Sequence, residues 1–211
     1  MPDLQLFISG ARYDRLNQSW TTDNGSFDLY VVSARRLHTN VFLSMTLGPQ
    51  DDPANTMVSF DGNLVNRNDW AFGYAPPRRT PPISFGEIGI PKYTPSYFTE
   101  LNIGGFGLNQ RIGDVRPNDQ GYYWNPSNGE GRTFAYGDVK AYHIETGGDY
   151  SSILFDAYTK KPNGQIEYLA PNGYDAIASA PVPEPATLTL FSLGIAGIGY
   201  RFLGKKRANK K

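Results

Sequence analysis

The chain has two imidazoles, His38 and His143, and no cysteine. The missing thiols remove disulfides, thiolate zinc sites and cysteine nucleophiles together. The histidines stand at no metal-ligand spacing, and no H-E-x-x-H is present. His38 falls in a polar turn between two expected strands and His143 on a strand, so both read as solvent-facing or hydrogen-bonding side chains. No G-x-S-x-G elbow offers a serine nucleophile its usual local geometry. Ile103-Gly104-Gly105-Phe106-Gly107 has the glycines of a phosphate loop but neither a Lys-Ser/Thr pair nor a following helix, and reads as a tight turn. Asp114, Asn118 and Asp119 are candidate oxygen donors to calcium at a spacing unlike an EF-hand, and capped turns account for the same residues. No metal site or cofactor is assigned. Carboxylates are numerous enough for a paired acid–base site, but no spacing singles out a pair.

Aromatic side chains are the more suggestive group. Tyr122-Tyr123-Trp124 lies in a Gly/Asn/Pro-rich stretch, and Trp70 and Tyr93 are similarly placed. Sugar rings stack their apolar faces on aromatic planes while Asn, Asp and Arg bind the hydroxyls, so these five are candidate glycan-binding residues. Packing against the edge or core of a sheet is the competing role.

Short strands are the elements expected to position them. The 211 residues contain 23 Gly, 16 Pro and 14 Tyr, with 14% aromatic and 19% charged residues. Gly and Pro interrupt helices, and aromatics fill pleated surfaces. Strand-like segments recur at Leu4–Ile8, Phe27–Val32, Val41–Leu47, Met57–Val65, Tyr97–Ile103, Arg132–Ile144, Ile153–Thr159 and Gln165–Leu169. Asp61-Gly62-Asn63 and Asn163-Gly164 are hairpin turn signals. Phe134, Tyr136, Lys140, Tyr142 and Ile144 share one parity, as on a half-buried strand, and His143 has the opposite one. The stretches 75–95 and 104–131 read as long connections. No segment before residue 180 keeps helical periodicity for three turns without Gly or Pro. The expectation is an all-β, antiparallel, jelly-roll-like β-sandwich over residues 1–178, followed by a single C-terminal transmembrane helix.

The chain's zero net charge hides an asymmetry. Arg201, Lys205, Lys206, Arg207, Lys210 and Lys211 hold six of the 20 basic residues, leaving 14 basic against 19 acidic residues before residue 182, a net of −5. A mildly acidic body offers phosphates no basic face, so no nucleic-acid partner is expected. Residues 179–185 end in Val182-Pro183-Glu184-Pro185, whose prolines keep the backbone extended and readable by a partner. Residues 186–203 carry no charge before Arg201 and read as a transmembrane helix, roughly 27 Å long at ~1.5 Å per residue, against a hydrocarbon core of ~30 Å. Arg201, Lys205, Lys206 and Arg207 form the membrane stop signal at the cytoplasmic face, within a basic tail over 204–211.

Val182-Pro183-Glu184-Pro185, the short apolar segment and the basic end together resemble the PEP-CTERM sorting signal of Gram-negative bacteria. The resemblance implies an exosortase-type membrane protease as partner, with these residues its substrate. It also implies export across the inner membrane, transient anchoring by the helix, and release to the cell surface or extracellular matrix. An exported chain is expected to have a secretory leader, whereas Leu4-Gln5-Leu6-Phe7-Ile8 has strand character, so the leader is expected upstream or already removed. Leu4–Ile8, Ser26–Val31, Pro95–Leu101, Ile153–Tyr158 and Ala170–Ala176 are in turn similar to blocks of the choice-of-anchor N domains, with Gly173-Tyr174 where Ser-His is expected. That resemblance bears on location more than on activity. The leading expectation is a non-catalytic exported surface protein. The alternatives are a carbohydrate-binding module for exopolysaccharide and a glycan-active enzyme with two carboxylates converging in a cleft.

Overall fold

The computed structural model describes residues 1–15, 19–76, 94–115, 134–171 and 174–180. By contacts the chain divides into Met1–Ala180 and Pro181–Lys211, and the second unit lies outside the described residues. The expected helix over 186–203 falls there. Among the described residues no helix is long and apolar enough to cross a membrane.

The body is built from strands, as its composition requires. They are β1 (Leu4–Ile8), β2 (Arg12–Asp14), β3 (Ser19–Thr22), β4 (Ser26–Ala34), β5 (His38–Leu47), β6 (Thr56–Phe60), β7 (Asn63–Leu64), β8 (Ala71–Gly73), β9 (Ser96–Phe106), β10 (Gln110–Gly113), β11 (Phe134–Gly148), β12 (Ser152–Lys160), β13 (Ile166–Leu169) and β14 (Asp175–Ser179). A six-stranded sheet runs β1-β4-β11-β6-β7, with β10 also on β11. An eight-stranded sheet runs β2-β3-β14-β12-β5-β9-β8, with β13 also on β12. All of these ladders are antiparallel except that of β14 with β3, which is parallel. Strands so distant in the chain need no tight connection between them, and so can pair in that direction.

The two sheets pack face to face in a sandwich-like arrangement. Phe27 of β4 meets Phe155 of β12 edge-on, with ring centroids 6.0 Å apart. Leu6, Leu29, Val31 and Ile144 from one sheet and Leu43, Met45, Leu47 and Ile153 from the other are fully buried between them. Two corners tie the sheets together. At one, the Leu6 N–H donates across to the Tyr174 carbonyl at 2.9 Å. At the other, Lys140 Nζ and Tyr142 Oη of β11 both donate to the Ile103 carbonyl of β9, at 3.4 and 3.3 Å.

Three expectations change. The glycine run 103–107 is not a tight turn: Ile103–Phe106 completes β9, and Gly104 (φ +82°) sits where the β5–β9 register shifts. The long connection expected from 104 contains β10. His38 is not in a polar turn but opens β5 and is 5% exposed, because its ladder partner Phe106 and the ring of Tyr168, 5.2 Å away, enclose it. The Asp61-Gly62 hairpin takes the expected form, with φ of +48° and +76° at its two central residues.

Candidate functional site

Strand β11 organises the surface of the body. It pairs with β4 from Gly137 to Glu145 without a register shift, so its side chains alternate strictly. Ile144 lies opposite Phe27 and faces the eight-stranded sheet, which puts Phe134, Tyr136, Asp138, Lys140 and Tyr142 on that inner face. The other sheet covers only part of this row. Asp138 Oδ2 accepts the Gly107 N–H at 3.1 Å, and Lys140 Nζ lies 4.6 Å from the Phe106 ring centre. Tyr142 is buried, and desolvation followed by the charges of Asp61 and Asp138 pushes its phenol up to about 12. Beyond Asp138 the row overhangs, with Phe134 52% and Tyr136 68% exposed. Arg111 of β10 pairs with Tyr136 in register and stacks its guanidinium 3.4 Å from the Phe134 ring centre. These three side chains form an open aromatic and cationic shelf.

The back of the shelf is firmly packed. On the opposite face Gly137 is buried, and a Cβ there would run into the Ser33 carbonyl oxygen and Ile112 Cδ1. Ile112 and Val115 are fully buried, and the Val115 N–H donates to Gln5 Oε1 at 2.9 Å. The chain after β10 therefore folds over the outer face at this end. Sequence reasoning missed Arg111 and took Phe134 and Tyr136 for half-buried positions. The one available signal was Gly137, which lets the sheet be overlaid from behind.

At the far end of β11 the outer face is open. His143 Nδ1 lies 2.9 Å from Asp28 Oδ1, and His143 Nε2 lies 3.3 Å from Ser26 Oγ. The hydrogen bond to Asp28 is the first cause raising the imidazole pKa above its usual 6.5. The order of contacts is that of a serine-hydrolase triad, but the setting is not. All three residues are exposed, whereas a nucleophilic serine needs excluded water and donors for an oxyanion. The arrangement is a cross-strand polar clasp. His143 thus takes the solvent-facing place expected of it. His38 behaves oppositely: burial leads the causes lowering its pKa, and among the described residues Nε2 has no hydrogen-bond partner.

The outer face of the eight-stranded sheet holds a second polar group. Glu100 of β9 and Asp156 of β12 flank Ser44 of β5 in register, roughly 10 Å apart at two strand spacings. Glu100 accepts from Tyr158 Oη and pairs with Lys160 Nζ at 2.5 Å. Burial, then that hydrogen bond, drives the Tyr158 phenol far above its usual range. Ser44 Oγ donates to the Pro76 carbonyl at 2.7 Å, so the chain leaving β8 reaches this face. Exposed Phe72 meets half-buried Tyr97 edge-on at 5.2 Å where β8 joins β9.

Of the glycan and calcium candidates singled out in the sequence, Trp70 and Asp114 fall among the described residues. Trp70 follows a short 3-10 turn at Arg67–Asp69 and is 8% exposed within the core, so it presents no open ring face to a sugar. Asp114 accepts a hydrogen bond from Tyr174 Oη at 3.1 Å. No group of three or more His, Asp or Glu able to hold a metal occurs among the described residues. Tyr93, Asn118, Asp119, Tyr122, Tyr123 and Trp124 lie outside those residues. So do Val182, Pro183, Glu184, Pro185, Arg201, Lys205, Lys206 and Arg207.

No curated protein matches the chain. One family model does, and it begins at the residue after Ala180, where the body ends. Residues 181–207 carry the PEP-CTERM protein-sorting motif, which implies processing by an exosortase, a membrane protein, and makes this an exported chain sorted to the cell surface.

Proposed function

We propose that the protein is a non-catalytic component of the cell surface or extracellular matrix, held in the inner membrane only until an exosortase-type protease removes its tail. The sorting motif over 181–207 carries this reading. The physics of the tail supports it: a span of roughly 27 Å at ~1.5 Å per residue is marginal against ~30 Å of hydrocarbon. Its prolines make a better address than a stalk. Mass spectrometry of surface-extracted protein tests the proposal. Peptides covering the body are expected without any from residues 190–211, and deletion of the host's exosortase restores the missing peptides. Finding residues 190–211 in mature surface material overturns it.

A second reading is a carbohydrate-binding body whose ligand is the surrounding exopolysaccharide, and the open shelf of Arg111, Phe134 and Tyr136 favours it. Affinity electrophoresis of the full chain in detergent through gels containing the host's own polysaccharide is expected to retard it. Unchanged mobility removes this reading and leaves the first intact.

A further inference from the structure

We propose that Arg111, Phe134 and Tyr136 form a binding site for an acidic sugar, a pyranose ring bearing a carboxylate. The proposal rests on the sugar-binding reading above and names its residues and ligand class. Three observations carry it. Phe134 and Tyr136 are among the most exposed large apolar side chains of the body, at 52% and 68%, and lie on the same face of β11. Arg111 stands beside Tyr136 across the ladder, with its guanidinium fixed 3.4 Å from the Phe134 ring centre. No salt bridge joins Arg111 to any acidic side chain among the described residues, so among them its N–H fork is uncommitted, whereas the cations Arg36 and Lys160 are paired.

The chemistry follows from that geometry. One face of Phe134 is taken by the guanidinium, which leaves Tyr136 as the ring available to stack on the C–H face of a pyranose. Directly opposite Cβ atoms in a ladder are about 5 Å apart. A ring on Tyr136 therefore presents its exocyclic carboxylate to Arg111, whose planar fork binds carboxylates in bidentate fashion. Stacking on Phe134 removes rotamer freedom from the arginine before the ligand arrives. The support is rigid: the Arg35 N–H donates to the Tyr136 carbonyl at 2.8 Å, and Gly137 behind is closely packed. The body's net charge of −5 does not steer a polyanion from a distance, so affinity comes from the local contacts. Among the described residues no cation stacks on the Phe72–Tyr97 pair, which therefore serves as the comparison site.

Isothermal titration of the full chain in detergent micelles tests the site, with hexagalacturonate as the acidic probe and maltohexaose as its neutral counterpart. Hexagalacturonate is expected to bind the tighter of the two. Arg111→Ala and Tyr136→Ala are each expected to weaken it by about tenfold or more. Phe72→Ala leaves it unchanged, and far-UV circular dichroism and the thermal midpoint confirm that each variant is folded. Equal binding of the neutral oligomer overturns the proposal. So does hexagalacturonate affinity that survives Arg111→Ala and Tyr136→Ala, that is lost with Phe72→Ala, or that inorganic phosphate competes away as well as galacturonate does. Binding at another place leaves the sugar-binding reading standing, whereas no binding of either oligosaccharide overturns both.

Discussion

The two halves of β11 follow one alternation and reach opposite outcomes. Toward its C-terminal end Tyr142 and Ile144 are buried while His143 and Glu145 are exposed. Toward its N-terminal end the same parity places Phe134 and Tyr136 in solvent and Gly137 in the interior. Alternation specifies which side chains share a face; it does not specify which face is covered. Coverage is decided by what lies across. The eight-stranded sheet reaches as far as Gly107 against Asp138 and stops there, while Ile112–Val115 overlays the back. One strand can therefore be a core element at one end and a display element at the other.

Gly137 and Ala141 lie on the same outer face, one in each half, and give the sharpest break of this comparison. Gly137→Val forces a branched side chain against the Ser33 backbone and Ile112, which the ladder cannot yield without separating β4 from β11. A loss of at least about 3 kcal/mol, or failure to fold, is expected. Ala141→Val adds apolar bulk to an exposed strand position and is expected to shift stability by no more than about 0.5 kcal/mol. Urea titrations of the two variants check this, and similar losses in both would show that the back of the shelf is not closely packed.

A second contrast uses the inner face. Ile144→Ala empties a fully buried site beneath Phe27 and is expected to cost roughly 2–5 kcal/mol. Tyr136→Ala, eight residues earlier on the same face, is expected to cost about 0.5 kcal/mol or less. Its consequence belongs to ligand binding. If Tyr136→Ala destabilised the fold as much as Ile144→Ala, the overhang would be part of the core.

Much of this architecture was legible in the sequence where local chemistry dictates it. Leu4–Ile8 has the apolar run of a strand, which the structure buries on both faces, and Asp61-Gly62 admits the left-handed backbone a tight hairpin needs. The unread elements were those whose residues carry weak local preference. Asp175–Ser179 is a central strand, yet Asp-Ala-Ile-Ala-Ser has little β propensity and is held by pairing on both sides. His38 looked like a turn residue because Thr39 and Asn40 beside it are polar, and the rings that bury it, Phe106 and Tyr168, lie far along the chain. The shelf was illegible for a related reason. Arg111 sits in a four-residue strand inside an apparent loop, and its exposure depends on where another sheet ends.

The smallest effect expected separates the two histidines, one from each environment. His143 has a raised folded-state pKa, chiefly through its bond to Asp28, so its contribution to stability is fully present below the unfolded value of 6.5 and is lost as pH rises through the higher folded value. His38 has a lowered one, chiefly through burial, so its contribution is present above 6.5 and is lost as pH falls through the folded value. The two trends oppose each other, and a pH–stability profile of the unmodified protein hides them. Asp28→Asn removes the carboxylate from the clasp and keeps its size. In a two-dimensional NMR titration it is expected to return His143 toward 6.5 while leaving His38 unmoved, with a thermal midpoint that differs from the parent below pH 6.5 more than above pH 8. If His38 moves with it, the clasp on the outer face and the buried ring at the start of β5 are coupled through the sheet, and the two environments are not independent.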